Sequence, residues 1–165
     1  METNELFLKT AFCCMSCDGN IAQEELKLVK QFAATSSYFE NIDIQNKLNE
    51  YVDRINHEGL KFLSDYINDI SLANIDETQE QDIVKIAIRV IQEDNKIEYS
   101  EISFFKKIRA KLQISDEIIK GILEKESLFD KYPEIQPEDF LLPDIQVTED
   151  LDWHASFDVI NLDLQ

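Results

Sequence analysis

The chain has 165 residues, of which 34 are Asp or Glu and 16 are Lys or Arg, so its net charge is −18. Phosphate backbones and anionic lipid repel such a chain, which disfavours nucleic-acid binding and direct adsorption to membranes. Gly and Pro number three each, and this scarcity excludes Gly-rich repeats and favours long helices. A cation, a basic protein or a basic segment is the expected partner.

The first ten residues lack the basic and apolar regions of a signal peptide. No stretch approaches the roughly 18 apolar residues of a membrane span, so no direct membrane insertion is expected. Cys13, Cys14 and Cys17 are too crowded to form a disulfide framework, which agrees with a reducing compartment. We therefore expect a cytoplasmic protein.

Apolar residues recur with a helical period over most of the chain and predict an all-α bundle. Asp76, with Gln79 three residues later, predicts a capping box at the start of the fifth helix. That helix is apolar on most sides and is expected to be central and buried. Seven helices are predicted, at about 4–17, 22–35, 43–57, 60–70, 76–91, 99–112 and 115–127.

From residue 128 the helical period is lost, so the predicted organisation is a helical domain at 1–127 and an irregular C-terminal arm at 128–165. The arm has ten acids and one base and carries nine of the 18 net negative charges. One interpretation is a disordered acidic tail with interspersed apolar residues. The favoured interpretation is an arm that docks on the body or on a partner, burying Trp153 and Phe157. A homodimer formed through the arm and a short edge strand at 159–164 are further expectations.

Two segments 76 residues apart, 18–25 and 94–101, share one pattern. Each begins with Asp and a turn residue, places Ile fourth and ends on Glu in the first turn of the next helix, where the helix dipole favours an anion. The pattern predicts two helical corners related by a pseudo-two-fold axis. The spacing also matches half of an EF-hand loop, but Cys14 and Val90 stand where calcium needs an oxygen ligand, so a working EF-hand is not expected.

Residues 11–25 and 91–101 resemble the two motifs of the TerB-like (tellurite-resistance) domain family. Those motifs consist of a helix of small apolar residues, then Asp-Gly-x-Ile, then a Glu that opens the next helix. Asn95 replaces the family's Gly, and cysteines replace the usual Ala. The resemblance covers about residues 3–126 and implies a compact bundle of about seven helices with an internal pseudo-repeat.

The resemblance further implies a noncatalytic binding or sensing module of a stress response, with a protein partner that is often membrane-associated. It implies a divalent cation at the acidic motif residues, which here are Asp18, Glu25, Asp94 and Glu101. Carboxylate oxygens favour calcium, magnesium or manganese over zinc. The alternative is a structural or assembly module, in which these acids only shape the corners and the arm mediates oligomerisation.

No nucleophile elbow, P-loop or H-E-x-x-H motif is present, so an enzyme is not expected, and a hydrolase using paired carboxylates is the third hypothesis. Cys14-Met15-Ser16-Cys17 is a C-x-x-C, but redox motifs of this kind lie on a βαβ unit. Zinc needs four N or S ligands, and only His57 and His154 are available besides the cysteines. We expect the three cysteines to be reduced and packed inside the bundle.

Overall fold

The structure, a computed structural model, describes residues 2–19, 21, 23–93 and 97–141. Across these ranges the chain is all-helical and forms no strand, which confirms the predicted fold class. The seven predicted helices correspond to α1–α7. The helices are α1 Thr3–Ser16, α2 Gln23–Thr35, α3 Ile44–Glu58, α4 Leu60–Leu72, α5 Glu77–Ile91, α6 Tyr99–Arg109, α7 Asp116–Lys125, α8 Leu128–Lys131 and α9 Pro137–Leu141.

The centre of the bundle is the pair α1 and α5, which pack along each other. The prediction that α5 is central is confirmed, because its residues Ile86, Ala87 and Ile88 are all fully buried. Helix α1 is buried as completely, from Leu6 to Ser16, although the sequence pattern predicts only one buried face. It packs against α3, α4, α5 and α6, so every side of it meets another helix.

The polar side chains of α1 are buried with partners. The ammonium of Lys9, 2% exposed, lies 2.7 Å from a carboxylate oxygen of Asp69 in α4 and 5.0 Å from the centre of the Phe62 ring. Tyr66 donates its hydroxyl hydrogen to Thr10 at 2.6 Å. These contacts satisfy polar groups whose burial would otherwise be costly, and they attach α4 to α1.

The starts of α5 and α7 follow the local signals in the sequence. The capping box of α5 is present, with hydrogen bonds of 2.9 Å in both directions between Asp76 and Gln79. The Ser115 side chain accepts a hydrogen bond from the backbone N–H of Ile118 and caps α7. The starts of α5 and α7 are therefore fixed by side chains within a few residues of them.

Residues 128–141 differ from the expected irregular arm, because they form the short helices α8 and α9. Helix α9 packs on α6 and α7, and the Phe140 ring meets Phe105 edge-on with ring centroids 5.4 Å apart. Leu128, Tyr132 and Ile135 are buried at a helix-like spacing. The predictions for Trp153, Phe157 and a strand at 159–164 lie outside the described residues. Of the helices that the structure describes, none is long and apolar enough to cross a membrane.

Candidate functional site

The first predicted corner lies at the C-terminal end of α1. The backbone N–H of Gly19 donates to the Ser16 carbonyl at 2.9 Å, and Gly19 has φ of 85°. Positive φ is cheap for glycine because it has no Cβ, which is the predicted reason for Gly at this turn. Asp18 is exposed at the turn. The chain then enters α2.

Glu25 and Glu101 occupy equivalent positions in the two corners. Each is the third residue of its helix, Glu25 in α2 and Glu101 in α6, and each is only 6% exposed. An N-terminal first turn stabilises a negative charge through the helix dipole and its unpaired N–H groups. The repeated sequence pattern thus places two buried carboxylates at two helix starts.

Glu101 also has a structural task. One of its carboxylate oxygens accepts a hydrogen bond from the backbone N–H of Glu98 at 2.8 Å, and the Glu98 side chain accepts one from the N–H of Glu101. This is a reciprocal capping box. The sequence pattern does not predict it, because the N-cap residue of a capping box is usually Ser or Thr and here is Glu98. A carboxylate has about four acceptor positions, so capping and a further interaction are compatible.

Charges from both corners act on the thiols at the end of α1. Burial is the largest cause that raises the pKa of the Cys17 thiol, and the charges of Glu101, Asp18 and Glu25 raise it further. Glu101 and Glu25 also raise the pKa of Cys14, again after burial. The charges of three of the four predicted carboxylates, Asp18, Glu25 and Glu101, therefore act on one buried thiol. Asp94 lies outside the described residues.

The cysteines themselves are packed as predicted. All three are free and buried, and Cys17 donates weakly from Sγ to the Cys14 carbonyl at 3.4 Å. Their raised pKa keeps the thiols protonated at neutral pH, whereas nucleophilic attack and metal ligation need the thiolate. In the folded state the side chains of this C-x-x-C therefore pack in the core as small apolar groups.

The donor chemistry of the corner suits a hard divalent cation, because carboxylate oxygens are the ligands that calcium, magnesium and manganese prefer. Within the residues that the structure describes, no three His, Cys, Asp or Glu side chains form a group able to hold a metal ion. Asp18, Glu25 and Glu101 therefore do not form such a group.

A second acidic surface is present that the sequence analysis did not identify. It is an open cleft of about 440 Å³ at the starts of α1 and α3, and we call it the α1–α3 cleft. Lys47 lies among its acids, 2.9 Å from Glu5 and 3.3 Å from Glu50. The acids come from two separate segments of the chain, 2–5 and 40–50, so no local pattern reveals the cleft. The acids that line the cleft are Glu2, Glu5, Glu40, Asp43 and Glu50.

Comparisons with models of protein families, with curated proteins and with solved structures found no match for this chain. The similarity to the TerB-like family therefore rests on the two motifs at 11–25 and 91–101.

Proposed function

We propose that the chain is a noncatalytic binding module of a tellurite-resistance type of stress response, which binds a divalent cation where α2 and α6 begin. The observation that supports this proposal best concerns Glu25 and Glu101. These two glutamates come from the two copies of the repeated motif, are buried at equivalent helix positions, and both act on Cys17. The resemblance of both motifs to the TerB-like family supplies the class of function.

The electrostatics of the corner favour a bound cation. Grouped carboxylates repel one another, and the helix N-termini and the capping hydrogen bonds offset only part of that repulsion. A calcium, magnesium or manganese ion held by Asp18, Glu25, Asp94 and Glu101 would offset the remainder. When bound, it would tie together the starts of α2 and α6, and a protein partner, including a membrane-associated one, would recognise the corner in that state.

The alternative function is a structural or assembly module, and one observation favours it. The Glu98–Glu101 capping box gives Glu101 a role in starting α6 that needs no metal ion. Under this alternative the acids at 18, 25, 94 and 101 only shape the two corners. The C-terminal arm would then mediate oligomerisation.

Thermal melts separate the two functions. By mass action, a cation at about 100 times its Kd stabilises the native state by about 2.7 kcal/mol. For a chain of this size, that corresponds to a rise in Tm of roughly 5–10 °C. The parent chain is melted with calcium, magnesium or manganese at millimolar concentration and with chelator. A double variant, Asp18→Asn with Asp94→Asn, should lose the response.

The matched control is Asp53→Asn with Asp130→Asn, which removes the same charge from two exposed acids in α3 and α8. It should keep the full response to the cation. Equal responses in all three proteins would mean nonspecific binding to an acidic surface and would overturn the proposal. The absence of any response in the parent would favour the structural alternative.

A further inference from the structure

A buried hydroxyl in α3 has no partner in the described part of the chain. Tyr51 is 1% exposed, and none of the described residues makes a hydrogen bond with its buried hydroxyl oxygen. The Tyr51 ring packs against Phe12 and Phe62, with ring centroids 5.5 and 5.7 Å away, and this packing does not use the hydroxyl. Burial of a hydroxyl without a hydrogen bond costs free energy, so this oxygen calls for an explanation of its own.

The Tyr51 hydroxyl is directed towards the α1–α3 cleft. Long side chains in a helix lean towards its N-terminus, over the residues three and four positions earlier. Tyr51 therefore leans towards Lys47, which lines the cleft. The electrostatics agree with this direction: burial raises the pKa of the Tyr51 hydroxyl most, and the charges of Glu5 and Glu50, both in the wall of the cleft, raise it further.

The cleft itself has an excess of negative charge. Its lining contains five acids and one base, Lys47. The Lys47 ammonium already lies 2.9 Å from Glu5 and 3.3 Å from Glu50. The Glu40 carboxylate, in contrast, has no ion pair or hydrogen bond with any residue that the structure describes. The cleft therefore attracts further positive charge.

The arrangement suits a ligand with several separated positive charges. Among the described residues no three acids form a group able to hold a metal ion, so the acids of the cleft do not surround a single ion. The volume of about 440 Å³ lies within the range of roughly 300–1,000 Å³ that small-molecule sites occupy. A linear alkyl polyamine carries ammonium groups separated by methylene groups, and each ammonium can donate to carboxylate or phenolic oxygens.

We propose that the α1–α3 cleft binds a linear polyamine, with one ammonium group at Glu5 and the Tyr51 hydroxyl and another at Glu40. The first takes the place that the Lys47 ammonium has at Glu5, and the Lys47 side chain, 35% exposed, moves into solvent. An ammonium has three donors, so it can bond to the phenolic oxygen and the carboxylate together. The site lies at the opposite end of α1 from the cation corner, and it does not depend on the proposed function.

Isothermal titration calorimetry of the full chain with spermidine tests the proposal, at low salt where charge pairs are least screened. The parent should bind one spermidine, and Tyr51→Phe should weaken binding at least about tenfold, because a hydrogen bond to a charged group is lost. Without spermidine, Tyr51→Phe should melt no lower than the parent, since it removes only an unpaired hydroxyl. The matched control is Tyr38→Phe, which removes a hydroxyl that lies 3.4 Å from Asp82 of α5, and it should bind like the parent.

Lys47→Met provides an independent check. Because the Lys47 ammonium occupies Glu5 in the free chain, its removal should strengthen spermidine binding several-fold. The control for net charge is Lys27→Met, which removes an exposed lysine of α2 and should leave the affinity unchanged.

Several outcomes would overturn the proposal. One is the absence of saturable spermidine binding to the parent, and another is equal affinity of the parent and Tyr51→Phe. Equal gains in the two lysine variants would show that spermidine responds only to net charge. A trilysine peptide that binds more tightly than spermidine would assign the cleft to a basic segment of another protein.

Discussion

Replacing Glu80 with Ala should destabilise the fold more than the loss of any exposed acid. Glu80 is 8% exposed in α5, and one of its oxygens accepts hydrogen bonds from the backbone N–H groups of Gln113 at 2.6 Å and Ile114 at 3.1 Å. Such bonds to a charged acceptor contribute about 1.5–3 kcal/mol each. Gln113 is exposed and can bond to water, while Ile114 is buried. The expected loss is therefore about 2–4 kcal/mol, or a fall in Tm of roughly 5–15 °C.

Glu80→Gln separates the hydrogen bonds from the charge. Both N–H groups donate to the same oxygen, and an amide oxygen in that place can still accept both. The glutamine variant should lose about 1 kcal/mol, since only the charge assistance is removed. Urea denaturation of both variants is compared with Glu77→Ala, an exposed acid in the first turn of the same helix. Gln113 and Ile114 lie in the connection between α6 and α7. If Glu80→Ala lowers the free energy of unfolding no more than Glu77→Ala does, the hydrogen bonds from this connection to Glu80 do not stabilise the fold.

Three further predictions concern the core, one turn and the thiols. Phe140→Ala should lower the free energy of unfolding, measured in urea, by about 3–5 kcal/mol, because Phe140 is fully buried against Phe105. A loss below about 1 kcal/mol would show that the packing of α9 adds little to stability. Gly59→Ala should lower the free energy of unfolding by roughly 1–2 kcal/mol. The cause is backbone strain alone, since φ is 59° and no atom lies within 4 Å of an added Cβ. An unchanged melting temperature would contradict this. Above the ordinary thiol pKa of 9.0, the thiols of the unfolded chain ionise, whereas the buried thiols of the folded chain stay protonated. The free energy of unfolding should therefore fall as pH rises, by up to about 1.4 kcal/mol per pH unit for each thiol. Cys17→Ala should reduce that slope in urea denaturation at about pH 8 and about pH 10, and an unaltered slope would show that Cys17 is not protected.

The helices could be predicted from the sequence because their signals are local. The apolar period and the box at Asp76 and Gln79 act within one or two turns, and they give α1–α7 to within a few residues. Helices α8 and α9 were missed for the same reason. Each has five residues or fewer, so no full period develops, and their formation depends on packing of residues such as Phe140 against α6 and α7.

The complete burial of α1 could not be predicted, because it depends on partners far away in the chain. From the sequence alone Lys9 is expected to be solvated, because its ion-pair partner Asp69 lies 60 positions later, in α4. Glu80 is a similar case, since the backbone N–H groups that donate hydrogen bonds to it lie 33 and 34 positions later in the chain. No spacing rule within one helix connects such residues.

The candidate site was predictable only in part. The positions of Glu25 and Glu101 in the first turns of α2 and α6 follow from the repeated motif. The action of both charges on Cys17 depends on how the chain packs around the end of α1, which the motif does not encode. The capping role of Glu101, whose carboxylate accepts a hydrogen bond from the backbone N–H of Glu98, was likewise visible only in the structure.

The most direct test of the cation site is titration of the isotopically labelled chain with manganese, followed by nuclear magnetic resonance. A paramagnetic ion broadens the signals of nearby amides, so it reports where the ion binds as well as whether it binds. The account predicts that the amides of 14–19, Glu25 and 97–101 broaden first. Strongest broadening along the α1–α3 cleft, around Glu5 and Glu50, or uniform broadening over all acidic surfaces, would contradict it.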